Sequence, residues 1–404
     1  MSTHRPRVAF VIHRCGMQTF GGAESLCLQL AQRLGAAWDV DVLTTCAQDY
    51  MTWENVYPEG HVYEQGVHIQ RFKVDHPRNV GRFNQLSEHI RFDVRHANIA
   101  LQEQWVREEG PLSSDLSRYV MQHRFRYDAF FFFSYVYATT YQLLPLVEEK
   151  AFLVPLAHDE WPLQMRIWDE LFKRPACTIF NTPEEHDFVM TRFERAGVDG
   201  PVIGCGIEAP GYADPEAFRS AYGIEGSFAL YLGRVDPSKG CGVLVEDFIR
   251  FRKRHLAPAK LVLVGDCHMP IRSDPNVVLI GPVDEKTKWD ALAACDLLAM
   301  PSSLESLSLS VLEAWSMGKA ALVNAHSAPL VGQCRRSGAG LWYANYDEFE
   351  AALVIMDEAV RKKLGGRGMD FINRTCSWTE VENNYRKLLE PPMQTADSLI
   401  ERRL

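Results

Sequence analysis

Residues 301–319 read PSSLESLSLSVLEAWSMGK, and they set two carboxylates, Glu305 and Glu313, eight positions apart. The apolar run just before residue 301 predicts a buried strand. The leucines within the quoted stretch itself recur at helical spacing. Gly318 is a residue type that commonly stands just beyond a helix C-terminus. The stretch therefore predicts a strand, a loop and a helix that begins near residues 306–308, and we expect the chemistry of the chain to lie at this junction.

The N-terminus of the predicted helix is suited to bind an anion such as a diphosphate, because its free N–H groups and the helix dipole favour negative charge. Glu305 lies just before it, and Glu313 lies about two turns further on, ~10 Å away at ~1.5 Å per residue. One acid is thus placed for a sugar and the other for a ribose. The alternative is that Glu305 only complements the helix dipole and that Glu313 only faces solvent.

Length and composition describe an ordinary folded protein. The chain has 404 residues, of which 47% are hydrophobic and 24% are charged, which is enough for two domains of normal size. A formal net charge of −9 argues against general nucleic-acid binding. The ten cysteines lie singly without a CxxC pair, so we predict reduced thiols in a cytosolic protein.

Two apolar segments bear on localisation. Near the N-terminus only five apolar residues precede His13, which is too short for a signal-peptide core, so we expect a cytoplasmic protein. Residues 129–147 are nineteen residues without a charge, near the length of a membrane span. Their hydroxyl, amide and proline content instead predicts a buried parallel strand at 130–133, a loop and a short helix.

The opening of the chain predicts the fold class. A strand at 8–12, a helix after the FGGAE loop at 20–24 and a second strand at 40–43 form a strand–helix–strand unit. This order predicts an α/β fold with a parallel sheet. In the loop, Gly21 and Gly22 either let the backbone approach a phosphate or sugar, or only permit a tight turn.

Asp39 and Asp41 form a DxD string, a type that holds a divalent metal on a nucleotide sugar. On an alternating strand one of the two side chains faces solvent, so we interpret the string as structural. We predict no metal site.

Residues 71–127 predict an elaborated segment with a helix at 86–105. Ten Lys or Arg against seven Asp or Glu leave a local charge of +3. Such a face suits an acidic acceptor or an anionic membrane, or it is simply solvated. Contact with the membrane surface is therefore one prediction, and an ordinary solvated face is the other.

The polar cluster HDEWP at 158–162 follows the apolar run 152–157. Ligands of open α/β sheets bind beyond the carboxyl ends of the strands, so this cluster is well placed for a site. His158 alone is compatible with a satisfied core histidine, but the adjacent carboxylates favour a site role. A strand at 177–180 and a capped helix from residue 181 follow.

A second α/β set follows the first. A last strand at 201–206 and the glycines and prolines beyond it predict a domain boundary near residues 200–210. Arg234 and Lys239 flank a tight turn after the next strand, where their charges either converge on one polyphosphate or remain ordinary surface charges. The tail at 377–389 predicts an amphipathic helix that packs back across the first domain.

Taken together, these motifs resemble the retaining glycosyltransferases of family 4. The resemblance rests on GRVDPSKG (233–240), the E-x7-E segment from Glu305 to Glu313, the FGGAE loop and the HDEWP stretch. It implies the GT-B fold of two Rossmann-like domains facing across a cleft. The implied division is an N-terminal acceptor-side domain at 1–203, a C-terminal nucleotide-sugar-binding domain at 204–376, and a helix at 377–404 that returns to the first domain.

The resemblance also implies roles for individual residues. Catalytic roles fall to His158 beside the transferring sugar, Glu305 on the sugar hydroxyls, and the diphosphate-binding Arg234 and Lys239. The implied donor-binding residues are Gly21, Gly22, Arg234, Lys239, Gly281, Val283, Glu305, Ser306, Leu307, Ser308, Leu309 and Glu313. Within this set Gly281 and Val283 face the base, and Glu313 meets the ribose. Leu307 and Ser308 stand where the family usually has an aromatic residue and a glycine.

The implied activity is metal-independent, anomer-retaining transfer of a hexose from a UDP- or GDP-sugar to a saccharide or lipid-linked saccharide acceptor. A role in bacterial cell-surface polysaccharide synthesis, at the inner face of the membrane, follows from the same resemblance, and no cofactor is expected. Cations and a helix N-terminus would stabilise the departing phosphate electrostatically. Two alternatives remain: another GT-B enzyme, such as a sugar-nucleotide epimerase, and a non-catalytic nucleotide-sugar-binding protein.

Overall fold

The computed structural model describes residues 5–16, 19, 21–193, 198–256 and 258–390. Within these residues the chain forms two sheets, each covered by helices. The strands of the N-terminal sheet are β1 (Arg7–Arg14), β2 (Asp39–Thr45), β3 (Gly60–Glu64), β4 (Val67–Phe72), β5 (Ala129–Phe133), β6 (Ala151–Val154) and β7 (Cys177–Thr178). Their order across the sheet is β3-β4-β2-β1-β5-β6-β7.

The N-terminal sheet is parallel except at one edge, where β3 pairs antiparallel to β4. Its interior strand β5, next to the central strand β1, is buried along its whole length. Phe131 and Phe133 pack into the core on one face of the sheet, and Phe130 and Phe132 pack into the core on the other. The prediction of a doubly buried strand at 130–133 is therefore confirmed, because helices cover both faces.

The helices of this half follow the strands in the alternation that the sequence predicted. They are α1 (Gly22–Leu34), α2 (Val80–Phe92), α3 (Ile99–Glu109), α4 (Ser114–His123), α5 (Ala138–Leu143), α6 (Trp168–Leu171) and α7 (Pro183–Arg192). Short 3-10 turns lie at Arg124–Arg126, Leu144–Leu146, Glu148–Lys150 and Trp161–Gln164.

Two predictions about this half were wrong. The helix expected at 86–105 is two helices, because Asn98 accepts a hydrogen bond from the backbone N–H of Ala100 (2.8 Å) and caps a new start. The strand expected at 201–206 is reduced to a single bridge between Phe180 and Val202. There Pro201 lacks an N–H and Gly204 takes a left-handed φ of 73°, so regular pairing stops.

The C-terminal sheet is entirely parallel, with the order β10-β9-β8-β11-β12-β13. Its strands are β8 (Phe228–Leu232), β9 (Lys260–Val264), β10 (Val277–Gly281), β11 (Leu297–Met300), β12 (Ala320–Asn324) and β13 (Gly340–Tyr343). A 3-10 turn at Pro237–Lys239 follows β8. The helices are α8 (Pro215–Tyr222), α9 (Cys241–Arg252), α10 (Glu285–Ala294), α11 (Leu309–Ser316), α12 (Ala328–Ser337), α13 (Tyr346–Ile355), α14 (Glu358–Thr375) and α15 (Trp378–Leu388).

The last helix, α15, returns to the N-terminal half as predicted, although residues 391–404 of the segment predicted at 377–404 lie outside the described residues. The ring of Tyr385 lies 5.9 Å from that of Phe131 in the N-terminal sheet, and the guanidinium of Arg33 lies 5.2 Å from the ring centre of Trp378. The chain thus crosses between the halves twice. The two crossings lie side by side, because the backbone N–H of Ile207 donates to the carbonyl of Cys376 (2.9 Å).

The two halves also touch away from these crossings. The side chain of Arg336 on α12 pairs with that of Glu184 on α7. The hydroxyl of Thr182 donates to the carbonyl of Ser306 (3.0 Å). Across the described ranges, the structure contains no helix both long and apolar enough to cross a bilayer.

Candidate active site

The carboxyl ends of the strands in both sheets meet in a cleft between the halves. Tyr50 follows β2 and reaches Arg234, which follows β8. Thr182 follows β7 and reaches Ser306, which follows β11. Since open α/β sheets bind ligands beyond the carboxyl ends of their strands, this cleft is the candidate site.

The loop after β8 has the form of a capped turn. The carboxylate of Asp236 accepts from the backbone N–H of Lys239 (3.1 Å) and from the hydroxyl of Ser238 (2.6 Å). Gly240 then takes a left-handed φ of 74°, and a Cβ there would lie 2.7 Å from the carbonyl oxygen of Pro301. A glycine is therefore needed where the loop after β8 packs against the loop after β11.

Lys239 and Glu305 are brought into direct contact by this packing. The ammonium of Lys239 lies 2.7 Å from Oε1 of Glu305, and their side chains are 26% and 11% exposed. The cation from one loop and the acid from the other therefore occupy one partly buried spot. The sequence predicted both residues for the site, but it did not predict that they would pair.

Arg234 points elsewhere in the same loop. Its guanidinium pairs with Asp236 and stacks on Tyr50 from the other half, 4.1 Å from the ring centre. Burial opposes ionisation of Asp236, yet the Ser238 hydroxyl and the charge of Arg234 together hold its pKa below the usual range. Arg234 and Asp236 therefore form a charged pair at the edge of the cleft.

The helix after Glu305 begins where the sequence placed it, within one residue. Helix α11 starts at Leu309, and Ser308 stands at its N-cap position. The side chain of Ser308 makes no capping hydrogen bond to the backbone. Its hydroxyl lies instead 3.3 Å from that of Ser310. Ser308 thus leaves the first-turn N–H groups of α11 uncapped, and these groups favour an anion.

Glu313 is buried on α11 and paired. Its carboxylate lies 2.6 Å from the ammonium of Lys288 on α10, and that ammonium also lies 2.6 Å from Glu285. Burial raises the pKa of Glu313 against the opposing charge of Lys288. The acid borders a cavity of about 170 Å³ between the two halves, lined by Gln29, Gln32, Arg33, Gly206, Ile207, Glu208, Glu285, Trp289, Glu313 and Trp378.

Gly281 and Val283, the residues expected to face a base, lie at the end of β10 and in the loop beyond it. Gly281 takes a φ of 87°, and a Cβ there would meet nothing within 4 Å. Its carbonyl accepts from the backbone N–H of Gly265 (2.9 Å). Both glycine and valine are half-buried. The site has open space at this edge.

His158 stands four residues beyond the end of β6, on a turn that contains Leu156 at a φ of 49°. Its Nδ1 lies 3.4 Å from Oε1 of Glu160. Glu185 anchors the turn, because its carboxylate accepts hydrogen bonds from the backbone N–H groups of Ala157 and Asn181, at 2.7 Å each. Burial raises the pKa of Glu185 to about 7, although these hydrogen bonds oppose the shift.

Gly21 and Gly22 differ in their surroundings. A Cβ on Gly21 would lie 2.2 Å from Oε2 of Glu24, whereas a Cβ on Gly22 would meet nothing within 4 Å. Glu24 is a buried acid held by Arg14 (2.5 Å) and His13 (3.1 Å). Burial disfavours its charge, but Arg14 and His13 outweigh burial and lower its pKa. Gly21 thus makes room for a buried ionic cluster.

A larger cavity of about 590 Å³ adjoins the loops that follow β8 and β11. It lies at the carboxyl ends of β8, β11, β12 and β13 and has both aromatic and polar walls. The lining residues are Pro237, Ser238, Gly240, Val243, Asp247, Pro301, Ser303, Asn324, His326, Tyr343, Ala344, Asn345 and Tyr346. Its volume falls in the range of small-molecule sites.

In the part of the chain that the structure describes, no three His, Cys, Asp or Glu side chains converge as a metal would require. Asp41 of the DxD string accepts from Arg7 (2.8 Å) and from the hydroxyl of Tyr127 (2.9 Å). These contacts agree with the structural interpretation of that string.

Several residues of the site were missed by sequence reasoning. Tyr50 and Glu185 carried no motif, and each acts on a residue far away in the chain. Lys288 left one signal: it stands three residues after Glu285 at the start of a helix, a spacing that places two charges side by side. Nothing in that spacing pointed to Glu313.

Comparison with known proteins now defines the class of the chain. Residues 227–356 match the sequence model of a family described as Glycosyl transferases group 1. This match covers the segment that carries Arg234, Lys239, Glu305 and Glu313. The chain therefore contains a domain similar to that of the group 1 glycosyl transferases, and its two-sheet architecture is the predicted GT-B fold.

Particular relatives can be named. Mannosylfructose-phosphate synthase of Agrobacterium fabrum is 23% identical over 275 residues, and the match covers 59% of this chain and 59% of that protein. Sucrose-phosphate synthase from Thermosynechococcus elongatus superposes with a TM-score of 0.70 at 17% identity, covering 95% of this chain and 98% of that one. Anabaena HepE, solved with UDP and glucose, superposes with a TM-score of 0.68 at 14% identity, covering 95% and 99%.

Proposed function

We propose that the protein is a retaining glycosyltransferase that moves a hexose from a nucleoside-diphosphate sugar to a saccharide or lipid-linked saccharide. The observation that carries the proposal is the contact between Lys239 and Glu305 at 2.7 Å, beside the N-terminus of α11. The site thus brings together three groups suited to an activated sugar. The cation suits the diphosphate, the acid suits the sugar hydroxyls, and the uncapped N–H groups suit the charge that develops on the leaving group. The match of residues 227–356 to the group 1 glycosyl transferases supports it.

The leaving diphosphate is assigned to Lys239, Arg234 and the backbone of residues 306–309. Breaking the sugar–phosphate bond puts negative charge on the departing oxygen, and preorganised cations and N–H groups stabilise that charge. Lys239 is already held in place by Glu305. Little reorganisation is then required as charge develops, so the transition state is stabilised more than the ground state.

Glu305 and Glu313 are assigned to opposite ends of the donor. Glu305 accepts hydrogen bonds from sugar hydroxyls, and Glu313 accepts from the ribose through the cavity that it borders with residues of α1 and α10. Lys288 holds the carboxylate of Glu313 in place through their ion pair at 2.6 Å. Gly281 and Val283 would face the base, and Gly21 and Gly22 the diphosphate.

The acceptor side of the cleft is assigned to the N-terminal half. His158 lies beside the transferring sugar in this proposal, on the turn anchored by Glu185. Retention of configuration is proposed with the departing phosphate taking the acceptor proton, so neither a metal nor a covalent enzyme intermediate is invoked. The domain division at 203/204 and 376/377 is part of the same proposal.

The donor is proposed to be a UDP- or GDP-sugar. Anabaena HepE, which shares the fold, was solved with UDP and glucose, and this supports a uridine donor. A role in cell-surface polysaccharide synthesis, with the protein in the cytoplasm at the inner face of the membrane, rests on the family resemblance. Deleting the gene and analysing surface polysaccharide tests that wider role.

The direct test is incubation with UDP- and GDP-sugars and a panel of saccharide acceptors. Acceptor-dependent release of the nucleoside diphosphate, with the product anomer assigned by NMR, would establish the transferase and its stereochemistry. An isomerised donor without acceptor would instead establish an epimerase. Tight donor binding without turnover in any combination would leave a nucleotide-sugar-binding protein.

A further inference from the structure

A chain of hydrogen bonds connects residues 305–309, called here the donor loop, with the turn that carries His158. It crosses between the halves at Thr182. The Thr182 hydroxyl donates to the carbonyl of Ser306 (3.0 Å) and accepts from the backbone N–H of Glu185 (3.1 Å). The Glu185 carboxylate accepts from the N–H of Ala157 (2.7 Å), the residue before His158. Five residues thus connect the two sides of the cleft.

The links in this chain are buried, so water cannot replace them. Thr182 is 2% exposed, Ser306 is 4% exposed and Glu185 is 0% exposed. A buried carbonyl or N–H that loses its partner carries its full desolvation cost. The hydroxyl of Thr182 therefore satisfies two backbone groups, one from each half of the protein.

The halves come unusually close at this point. A Cβ on Gly332 of α12 would lie 1.7 Å from Oε1 of Glu184, two residues after Thr182. The same Glu184 pairs with Arg336. The start of α7 therefore packs directly against α12, next to the hydrogen bond between Thr182 and Ser306.

We infer that Thr182 is a positioning residue: its hydroxyl sets the place of His158 relative to the donor loop at residues 305–309. The inference rests on the proposed function only for the role of His158, because the hydrogen-bond chain exists whatever the reaction. Leu156 holds a left-handed φ of 49° beside His158. Such a conformation persists only where surrounding contacts enforce it.

The hydroxyl has two jobs that substitution can separate. As the N-cap of α7 it accepts from Glu185, and as the contact between halves it donates to Ser306. Aspartate is a good N-cap, so Thr182→Asp keeps the first job, but an ionised carboxylate has no proton to donate and loses the second. Thr182→Ser keeps both. Thr191→Val, which removes an exposed hydroxyl further along α7, is the matched control.

The expected result is a separation of kcat from donor binding. Loss of one buried hydrogen bond of this kind predicts a fall in kcat of about tenfold for Thr182→Asp, with a much smaller change in the Kd for nucleoside diphosphate, because the proposed cationic contacts of that ligand, Lys239 and Arg234, do not depend on Thr182. Thr182→Ser and Thr191→Val should retain wild-type kcat. If Thr182→Asp fails to fold, Thr182→Val takes its place; because valine loses the N-cap as well as the donor, Ser113→Ala, which loses only the N-cap of α4, then serves as its control and should retain wild-type kcat.

Small-angle X-ray scattering supplies a readout that needs no turnover. Thr182→Asp should have a larger radius of gyration than the wild type, and Thr182→Ser should not. Equal radii, a wild-type kcat for Thr182→Asp, or equal impairment of the Ser and Asp variants would overturn the inference. Absence of turnover in the wild-type protein would instead count against the proposed function, and the scattering comparison would still decide the role of Thr182.

Discussion

The guanidinium of Arg234 lies 4.1 Å from the ring centre of Tyr50, and the two residues belong to opposite halves of the protein. The guanidinium therefore has two partners: the ring of Tyr50 contacts it by stacking, and the carboxylate of Asp236 forms an ion pair with it. A cation stacked on an aromatic ring keeps its charge available to a third group. The C-terminal half therefore depends on the N-terminal half for the orientation of Arg234.

Tyr50→Ala should weaken donor use while Tyr50→Phe should not. Without the ring, Arg234 keeps only its pair with Asp236 and loses the contact that orients it from the other half, so the donor KM should rise between roughly 2-fold and 30-fold, the range of a partly buried cation–π contact. Phenylalanine keeps the ring face. Initial rates against donor concentration measure both variants, and an equal defect in the two would show that the hydroxyl matters instead of the ring.

Lys239→Met and Glu305→Gln should each abolish most turnover. Lys239→Met removes the proposed leaving-group cation and Glu305→Gln removes the acid that holds it at 2.7 Å, and loss of one preorganised group of this kind costs about 10²- to 10³-fold in kcat. Lys362→Met on the exposed face of α14 is the control and should match the wild type. Near-normal kcat in either site variant would place the chemistry elsewhere in the cleft.

Lys288→Met should destabilise the fold. It leaves Glu313 buried and without its cation, which costs about 3–5 kcal/mol when a buried pair is broken on one side. Lys173→Met breaks an exposed pair with Glu170 and should cost about 0–1 kcal/mol. Urea denaturation of both variants measures the difference. Equal losses would mean that the Glu313 pair is solvated like the surface one.

Gly21→Ala and Gly22→Ala make a matched pair of neighbours. A Cβ at the first position would displace Glu24 from Arg14, so the variant should lose about 1–3 kcal/mol of stability through an unpaired buried charge. A Cβ at the second meets open space at the start of α1, where alanine should stabilise the helix by about 0.5–1 kcal/mol. Thermal melting separates them, and an equal response would contradict the crowded position of Gly21.

Glu109 should make stability fall as pH rises. Burial raises its pKa to about 7, Arg78 opposes the shift, and Glu160 adds to it. Tyr135 and Tyr137 also face this carboxyl. Between the ordinary value of 4.5 and about 7 the folded state holds a proton that the unfolded state has lost, so the free energy of unfolding decreases with rising pH in this window.

Glu109→Gln tests this dependence. The variant cannot titrate, so its free energy of unfolding should change less between pH 5 and pH 8 than that of the wild type. Chemical denaturation at the two pH values gives the slopes. A slope as steep as the wild type's would assign the dependence to other groups, such as Glu185, whose pKa burial also raises to about 7.

Much of the fold could be predicted from the sequence, and the reason is local. Strands such as β5 and β11 are continuous apolar runs, which only burial on both faces explains. Helix α7 was placed by Thr182 and Pro183, an N-cap and a first-turn proline. The edge strand β3 and its neighbour β4 were missed because exposed residues interrupt both, so neither shows a continuous apolar run.

The site was predictable in its motifs and not in its pairings. Lys239 and Glu305 belong to short motifs that one sequence displays, and the fold brings them together. The contacts of Tyr50 with Arg234 and of Lys288 with Glu313 join residues of different elements. No periodicity records such contacts, because they depend on how loops from separate strands meet.

The hydrogen bond between the crossings at Ile207 and Cys376 determines how the halves can move. Two connections tied side by side resist torsion of one lobe against the other and leave bending about a common line. The two halves should then open by a hinge rotation about a single axis. Contacts between them, at Thr182 and at Tyr50, would break in one event, so opening of the cleft and loss of alignment at His158 become the same step.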